Sequence, residues 1–186
     1  PYESIDAGMA SCSGLTVLLV DACRAVGVPA RFVGTPLWSD GSGNHSWAEV
    51  WDDGWHFTGA AEPTGMDLDR GWFTGRASGA KRDVPRHAIY ATTWRQTPIN
   101  FPLVWNPNDT SINAVNVTDR YTSQAVELPD DQRIVRIQVK GKGGRQAIPV
   151  IIRKDGQEVF SGISKDERFD ANDHLEVVLT VDEDYE

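Results

Sequence analysis

The sequence predicts an α+β fold in which a helix packs on an antiparallel sheet, followed by a small all-β, sandwich-like domain. Three patterns support this prediction: an apolar helical run near the start, an alternating strand with its hairpin partner, and short alternating runs towards the end. All seven tryptophans lie between Trp38 and Trp105, and none follows Thr118. Aromatic content and pattern therefore divide the chain, and we place the boundary near residues 118–124.

The first predicted element is a helix that begins after Ser11. Apolar residues dominate the stretch from Leu15 to Val26 on nearly every side, which is typical of a helix buried at the centre of a domain. Ser11 is a suitable N-cap because its hydroxyl can accept a hydrogen bond from a backbone N–H of the first turn. Gly27 and Pro29 are expected to end the helix.

A strand and a hairpin are predicted next. The strand covers residues 30–34, and a loop rich in glycine and serine leads from it to an alternating strand at 45–51. The turn Asp52-Asp53-Gly54 then returns the chain into a partner strand at 55–58, and its glycine is expected to adopt a positive φ. This arrangement predicts a β-hairpin directly after the helix and its following strand.

The region after the boundary is predicted to consist of antiparallel strands. Short apolar runs alternate there with turns rich in glycine, which is typical of a small β-sandwich. The candidate strands cover residues 134–140, 147–154, 157–162 and 175–181.

Composition argues against several classes of function. The formal net charge of −9 disfavours a nucleic-acid partner, because phosphate binding needs clustered Lys and Arg. The longest apolar stretch, Leu15–Val20, is too short to span a membrane. Four candidate metal ligands have the spacing of no standard site, so we expect no metal and no cofactor; they are Asp67, Asp69, Asp83 and His87. The chain begins without Met and ends in an acidic run, so we expect further domains in a longer parent protein.

The two cysteines are predicted to be free thiols with different roles. On one helix, the 11 positions between Cys12 and Cys23 correspond to roughly 16 Å, whereas a disulfide needs Cα atoms within about 7 Å. Cys12 lies at a helix N-terminus, where unpaired N–H groups and the helix dipole favour the reactive thiolate. Cys23 is expected to be a small packed residue, which is also the alternative for Cys12. Free thiols fit a reducing compartment without excluding export.

His45 is the candidate general base for Cys12. A cysteine and a distant histidine, brought together by the fold, are the usual parts of a thiolate nucleophile and its base. Strand alternation places Trp47, Glu49 and Trp51 on the face of His45, and the tryptophans could line a dry cleft. Glu49 is four residues along the strand, roughly 13 Å away, which is too far to orient the imidazole.

Glu62 is the candidate group that orients His45. If the hairpin turn centres on Asp53, His45 lies opposite Ala61, and one bulge within 59–61 would bring Glu62 opposite the imidazole. Its carboxylate can then accept a hydrogen bond from the ring. The alternative is that Glu62 is a surface carboxylate.

Three segments together resemble the motifs of the transglutaminase-like superfamily. Gly8–Gly14 with Ala22–Arg31 resembles the first motif, a helix start at cysteine followed by R-x-x-G-[IV]-P-A-R. Asn44–Trp51 is similar to the second, H-[AS]-W-x-E-[VW]. Trp55 followed by Glu62-Pro63-Thr64 is similar to the third, W…D-P-T, with Glu in place of Asp and a longer spacing.

The resemblance implies a papain-like fold with Cys12, His45 and Glu62 as a catalytic triad. The resemblance covers about residues 8–65; with the boundary drawn from aromatic content and pattern, we assign residues 1–120 to a transglutaminase-like catalytic domain and 121–186 to an accessory β-sandwich-like domain. The resemblance also implies acyl transfer from a peptide or protein amide. We favour hydrolysis over transamidation, because water is always present and no amine site is recognisable.

Three aromatic residues are predicted to contact the substrate: Tyr2, Trp38 and Trp47. Tyr2 is also a candidate second oxyanion donor beside the Cys12 backbone N–H. Three further tryptophans are expected in the core or lining the cleft: Trp72, Trp94 and Trp105. The alternative function is a non-catalytic module of the same fold that binds protein or carbohydrate.

Overall fold

The computed structural model describes residues 1–60, 62, 64–123 and 128–186. The chain divides into two compact units, Pro1–Ala125 and Val126–Glu186. The helices, all in the first unit, are α1 (Tyr2–Ala7), α2 (Cys12–Ala25), α3 (Thr74–Ser78) and α4 (Thr118–Thr122). Among the described residues, no helix has both the length and the apolar character needed to cross a membrane.

The first unit contains one five-stranded sheet in the order β3-β2-β1-β4-β5, and all its pairs are antiparallel. Its strands are β1 (Ala30–Thr35), β2 (His45–Trp51), β3 (Trp55–Thr58), β4 (Tyr90–Thr92) and β5 (Ala114–Asn116). The predicted hairpin register is confirmed, since Trp51 pairs with Trp55 and Glu49 with Phe57. The edge strand β5 was not predicted. The α+β class and the antiparallel sheet are therefore as expected.

The turn of this hairpin differs from the prediction in its backbone. Asp53, and not Gly54, adopts the positive φ, at 51°. Aspartate tolerates this left-handed conformation better than most residues, because its short polar side chain can hydrogen-bond locally. The positive φ that the sequence assigned to Gly54 is therefore adopted by Asp53.

Helix α2 forms where predicted, and Ser11 caps it by accepting a hydrogen bond from the Gly14 backbone N–H at 3.3 Å. The expectation that it is buried on all sides is wrong. Only Thr16 and Val20 of this helix are buried, and Val17 is 41% exposed. One face of α2 packs on β1 and β2, and the opposite face of a helix on the outside of a sheet meets solvent.

The two faces of β2 contact different parts of the core, as its alternation predicts. Ala48 packs with Val20 of α2. Trp47 packs on the other side, within an aromatic cluster that includes Phe57 and Phe73. The same cluster contains Tyr121 of α4, a residue that the sequence assigned to the second region. The strand β2 thus joins the helix layer to the aromatic core.

The second unit contains three two-stranded sheets in its described residues. Its strands are β6 (Gln132–Ile137), β7 (Lys140–Gly141), β8 (Gly144–Arg145), β9 (Pro149–Lys154), β10 (Gln157–Ile163) and β11 (Leu175–Thr180). β6 pairs with β11, β7 with β8, and β9 with β10. The turn between β9 and β10 has positive φ at Asp155 and Gly156, as its sequence predicts. A sandwich arrangement stays a prediction.

Candidate active site

Cys12 is the first residue of α2, where its thiol is partly exposed and forms no disulfide. Its position follows from the N-cap at Ser11, because the helix begins at the next residue. The Cys12 carbonyl accepts a hydrogen bond from Thr16 Oγ1 at 2.7 Å, which closes the first turn. Cys23 is also a thiol outside any disulfide, in the last turns of the same helix. The two cysteines therefore lie near opposite ends of α2.

His45 begins β2, opposite Thr35 of β1. Its side chain is only 1% exposed. The Cys12 Sγ and a ring nitrogen of His45 lie within 4.8 Å of each other. The imidazole is surrounded by aromatic rings, with centroids 4.8 Å away for Trp72 and 5.0 Å for Phe73. The fold thus brings the thiol and the imidazole together in a largely apolar environment.

Glu62 lies on the other side of the imidazole. Its Oε1 is 3.2 Å from His45 Nε2, and its side chain is 9% exposed. The Trp72 Nε1–H donates to the same oxygen at 3.2 Å. The carboxylate is therefore held between a tryptophan donor and the histidine ring, and is not a solvated surface group. The predicted pairing of His45 with Ala61 lies outside the described residues.

Gly59 leaves the space that the Glu62 side chain occupies. A Cβ added at Gly59 would overlap the Glu62 carboxylate. Any larger residue at this position would therefore push the carboxylate away from His45. Gly59, the first residue of the run in which the sequence suggested a bulge, thus permits close packing against Glu62.

A second set of contacts fixes the helix to the strand. The hydroxyls of Ser13 and Ser46 lie 3.1 Å apart and join the residues that follow Cys12 and His45. A Cβ added at Gly34 of β1 would meet the His45 carbonyl oxygen at 2.8 Å. The distance between thiol and imidazole is thus set by direct contacts of α2, β1 and β2.

The three residues predicted to contact substrate have very different exposure. Trp38 is 1% exposed and Trp47 is fully buried, and their rings stack with centroids 6.1 Å apart. Both rings lie beside His45, at 6.1 Å and 5.8 Å. Tyr2 in α1 is 83% exposed. The two tryptophans pack in the wall of the site, and direct contact with substrate stays a prediction for all three.

Sequence reasoning missed a buried polar network centred on Glu49. Its carboxylate is fully buried and forms an ion pair with Arg31 at 2.5 Å. Tyr121 Oη donates to Glu49 Oε1 at 2.8 Å, and the Trp47 Nε1–H donates to Tyr121 Oη at 2.8 Å. Burial, together with the nearby Glu49 charge, raises the pKa of Tyr121 well above its usual value. Tyr121 therefore stays protonated and can donate to the carboxylate.

One signal for this network was present in the sequence. Glu49 shares the buried face of β2 with Trp47, and a buried carboxylate needs donors. The pairing of β1 with β2 places Arg31 directly opposite Glu49, so this partner follows from strand register. Tyr121 is 72 residues away in the chain, and no local pattern indicates its contact.

Residues 1–61 match the family model described as the transglutaminase-like superfamily. This match confirms the resemblance to the superfamily; it includes the first two motifs with Cys12 and His45, whereas Glu62 lies just beyond it. No curated protein and no solved structure gives a match.

Proposed function

From its transglutaminase-like segment, residues 1–61, we propose that this protein is a cysteine-dependent acyl-transfer enzyme that hydrolyses a peptide or protein amide. Cys12 is the nucleophile, His45 the general acid–base, and Glu62 the group that orients the imidazole. One observation carries the proposal: His45 lies within 4.8 Å of the Cys12 thiol and has Glu62 Oε1 at 3.2 Å from its Nε2.

The arrangement supports a defined order of proton transfers. Because Nε2 faces Glu62, Nδ1 is the ring nitrogen that exchanges a proton with Cys12. The Cys12 thiolate attacks the carbonyl carbon, and the protonated His45 then donates its proton to the leaving amine. A thioester between Cys12 and the acyl group remains. Water attacks this thioester with His45 as base, which releases the acid and restores the thiol.

The groups around the triad can stabilise both the protonated His45 ring and the negative charge on Cys12 or on the oxyanion. The Glu62 carboxylate lies 3.2 Å from His45 Nε2 and places a negative charge beside the ring that becomes positively charged during the cycle. Helix α2 places its first-turn N–H groups and positive dipole end at Cys12, which stabilises the thiolate and the oxyanion. The backbone N–H of Cys12 is the first oxyanion donor in this proposal, and Tyr2 is the candidate for the second.

Hydrolysis is preferred to transamidation for a simple reason. Both outcomes use the same thioester, and only the acceptor differs. Transamidation needs a site that binds an amine and excludes water, and no such site is recognisable around the described residues of the triad. The second unit is assigned to an accessory role, because the proposed nucleophile, base and orienting residue all belong to the first unit.

The test is capture of the acyl-enzyme with an activated ester. Wild-type protein incubated with p-nitrophenyl acetate is expected to release one equivalent of nitrophenol in a burst, with the acetyl group on Cys12 by mass spectrometry. Cys12→Ala and His45→Ala are expected to abolish the burst, and Cys23→Ala should retain it. The same reaction with added primary amine measures how acyl groups partition between water and amine.

Absence of a burst in folded wild-type protein would overturn the proposal. An equal burst in Cys12→Ala would do the same, because the acyl group would then sit on another residue. Either result would favour the alternative, a binding module that has kept this side-chain arrangement without catalysis.

A further inference from the structure

A cavity of about 700 Å³ lies in the first unit, at the C-terminal end of α2. It lies away from the triad, since Arg24 on its wall follows Cys12 by 12 positions, about 18 Å along the helix. Its size falls within the range of pockets that hold small organic ligands. The residues that carry the argument are Arg24, Arg31, Trp55, Trp94, Ile112 and Asn113.

The charges around this cavity do not balance. None of the described residues that line it is acidic, whereas two are arginines. The nearest buried carboxylate, Glu49, is shared by Arg31 at 2.5 Å and Arg120 at 3.6 Å. Within the described part of the chain, no carboxylate pairs with Arg24. The cavity therefore carries an excess positive charge that attracts an anion.

The guanidinium of Arg24 is bonded to the protein at its Nε, which leaves its two terminal nitrogens accessible to a ligand. Its Nε–H donates to the Ala30 carbonyl at 3.0 Å, which fixes the guanidinium. Among the described residues, no hydrogen bond is formed by its two terminal nitrogens, which together carry four N–H groups. A planar guanidinium in this orientation matches the two oxygens of a carboxylate. Arg24 is exposed, and the bond at its Nε orients the guanidinium, whose two terminal nitrogens favour a carboxylate over a neutral group.

The rest of the wall is aromatic and apolar. The Arg24 guanidinium lies 5.4 Å from the Trp94 ring, and the Arg31 guanidinium lies 3.9 Å from the Trp55 ring. Trp94 is 88% exposed, so its indole lies at the rim of the cavity and most of the ring contacts solvent. Ile112 adds an aliphatic wall. An exposed indole beside a cation suits a flat apolar ring attached to the anion.

We infer that this cavity is a second ligand site, separate from Cys12, that binds a small carboxylate carrying a flat apolar ring. Arg24 binds the carboxylate end-on through its terminal nitrogens. Trp94 and Trp55 contact the ring, and the Asn113 side chain is the neutral polar group in reach. The site does not require the chemistry of Cys12 or His45.

Binding is tested by nuclear magnetic resonance on the full chain, with 1-naphthylacetate as the probe and 2-(1-naphthyl)ethanol as its neutral counterpart. The indole N–H signals are assigned with single Trp→Phe variants. The Trp55 and Trp94 signals are expected to shift saturably with naphthylacetate, while those of Trp38 and Trp47 stay in place. The carboxylate is expected to bind at least about tenfold more tightly than the alcohol, as charge-assisted hydrogen bonds require.

Variants assign the effect to single residues. Arg24→Gln is expected to weaken naphthylacetate binding by about tenfold or more and to remove the preference over the alcohol. Arg70→Gln is the matched control, because Arg70 is 71% exposed and lies outside the cavity. Trp94→Ala should weaken both probes. Cys12→Ala should leave binding unchanged, so failure of the catalytic proposal and failure of this one are separate results.

Three results would overturn the inference. The first is the absence of saturable shifts at Trp55 and Trp94. The second is equal affinity for the acid and the alcohol. The third is unchanged affinity in a folded Arg24→Gln variant, whether or not Trp94→Ala has an effect.

Discussion

The two compact units bury different kinds of side chain. The first has a core of large aromatic rings, among them Trp38, Trp47 and Phe73 at 1% exposure or less. In the described residues of the second, the buried hydrophobic side chains are Ile152 and Val177. A unit as small as Val126–Glu186 has little interior in which to bury apolar surface.

Polar side chains occupy the interior of the second unit instead. The buried Ser164 Oγ donates to the Gln146 carbonyl at 2.6 Å and accepts from the Ile148 N–H at 3.0 Å. The Arg145 guanidinium donates to the carbonyls of Phe169 at 2.6 Å and Asp170 at 2.9 Å. Directional bonds also occur in the first unit, in the network of Trp47, Tyr121 and Glu49, but there they lie within an aromatic core. The proposed triad therefore lies against a packed aromatic core, whereas the stability of the second unit depends on a few buried polar residues.

The largest expected effect is the loss of the aromatic core. Trp47→Ala is expected to lower the free energy of unfolding of the first unit by about 3–5 kcal/mol, because it removes a buried ring and leaves the Tyr121 hydroxyl without its donor. Urea denaturation followed by tryptophan fluorescence measures this, since all seven tryptophans lie in the first unit. Trp94→Ala is the control, with an expected change within about 0.5 kcal/mol. Equal losses would contradict the comparison.

The polar centre of the second unit gives the next effect. Arg145→Met keeps the side-chain length but leaves several backbone carbonyls without a donor, at an expected cost of about 2–4 kcal/mol. Hydrogen exchange over residues 128–186 should accelerate accordingly. Arg168→Met is the matched change, because Arg168 is 79% exposed, and it should leave exchange unaltered. Slow exchange in Arg145→Met would mean that apolar packing also holds this unit.

A third change separates the chemistry of the first unit from its stability. Gly59→Ala is expected to displace the Glu62 carboxylate and to slow acylation of Cys12 about 10²-fold, the scale of a 1 Å misplacement in an active site. Gly75→Ala is the control, because a Cβ there meets no atom within 4 Å. Glu62→Gln should behave like Gly59→Ala. Full acylation in both variants would remove Glu62 from the proposed triad.

A smaller effect is expected at the contact between α2 and β2. Ser13→Ala removes the hydroxyl that faces Ser46 at 3.1 Å and should cost about 1 kcal/mol, as one hydrogen bond does. Ser78→Ala removes an exposed hydroxyl that bonds only within its own helix, and should cost less. Acylation rates compared at equal folded fraction show whether the contact also positions Cys12. Identical rates and stabilities for both variants would contradict a role for this contact.

The smallest effect is a pH dependence at β3. A hydrogen bond donated by His56 Nδ1–H to Asp69 Oδ2, with the two atoms 2.6 Å apart, raises the pKa of His56 above its ordinary value of 6.5. The contact therefore stabilises the fold fully below the ordinary pKa and is lost as pH rises through the raised value. An NMR titration of His56 in wild type and Asp69→Asn measures this. A His56 pKa that is unchanged by the substitution would contradict the assignment.

Much of the first unit could be predicted because its signals are local. The Ser11 cap, the alternation of β2 and the hairpin register each depend on residues close in the chain. These local signals placed His45 opposite Ala61; the prediction for Glu62 also needed one bulge within 59–61 and the similarity to the W…D-P-T motif. Four of the six strands described in the second unit, β6, β9, β10 and β11, were predicted to within a few residues for the same reason, whereas the two-residue strands β7 and β8 were not.

The rest depended on contacts that no local pattern contains. Tyr121 joins the core of the first unit through bonds to Glu49 and Trp47, more than seventy residues away. The one-sided packing of α2 depends on the position of the sheet, and an apolar pattern alone does not show which face meets solvent. The exposure of Trp94 was likewise set by the fold around it.

The central claim is that His45 activates Cys12, and the rate of Cys12 alkylation by iodoacetamide against pH tests it most directly. The experiment uses a Cys23→Ala background, so that one thiol is measured, and compares it with the same protein carrying His45→Ala. We expect rapid alkylation of Cys12 well below pH 8.5, about the pKa of a free thiol, and loss of this low-pH reactivity without His45. A Cys12 that titrates as an ordinary thiol in both proteins would contradict the account.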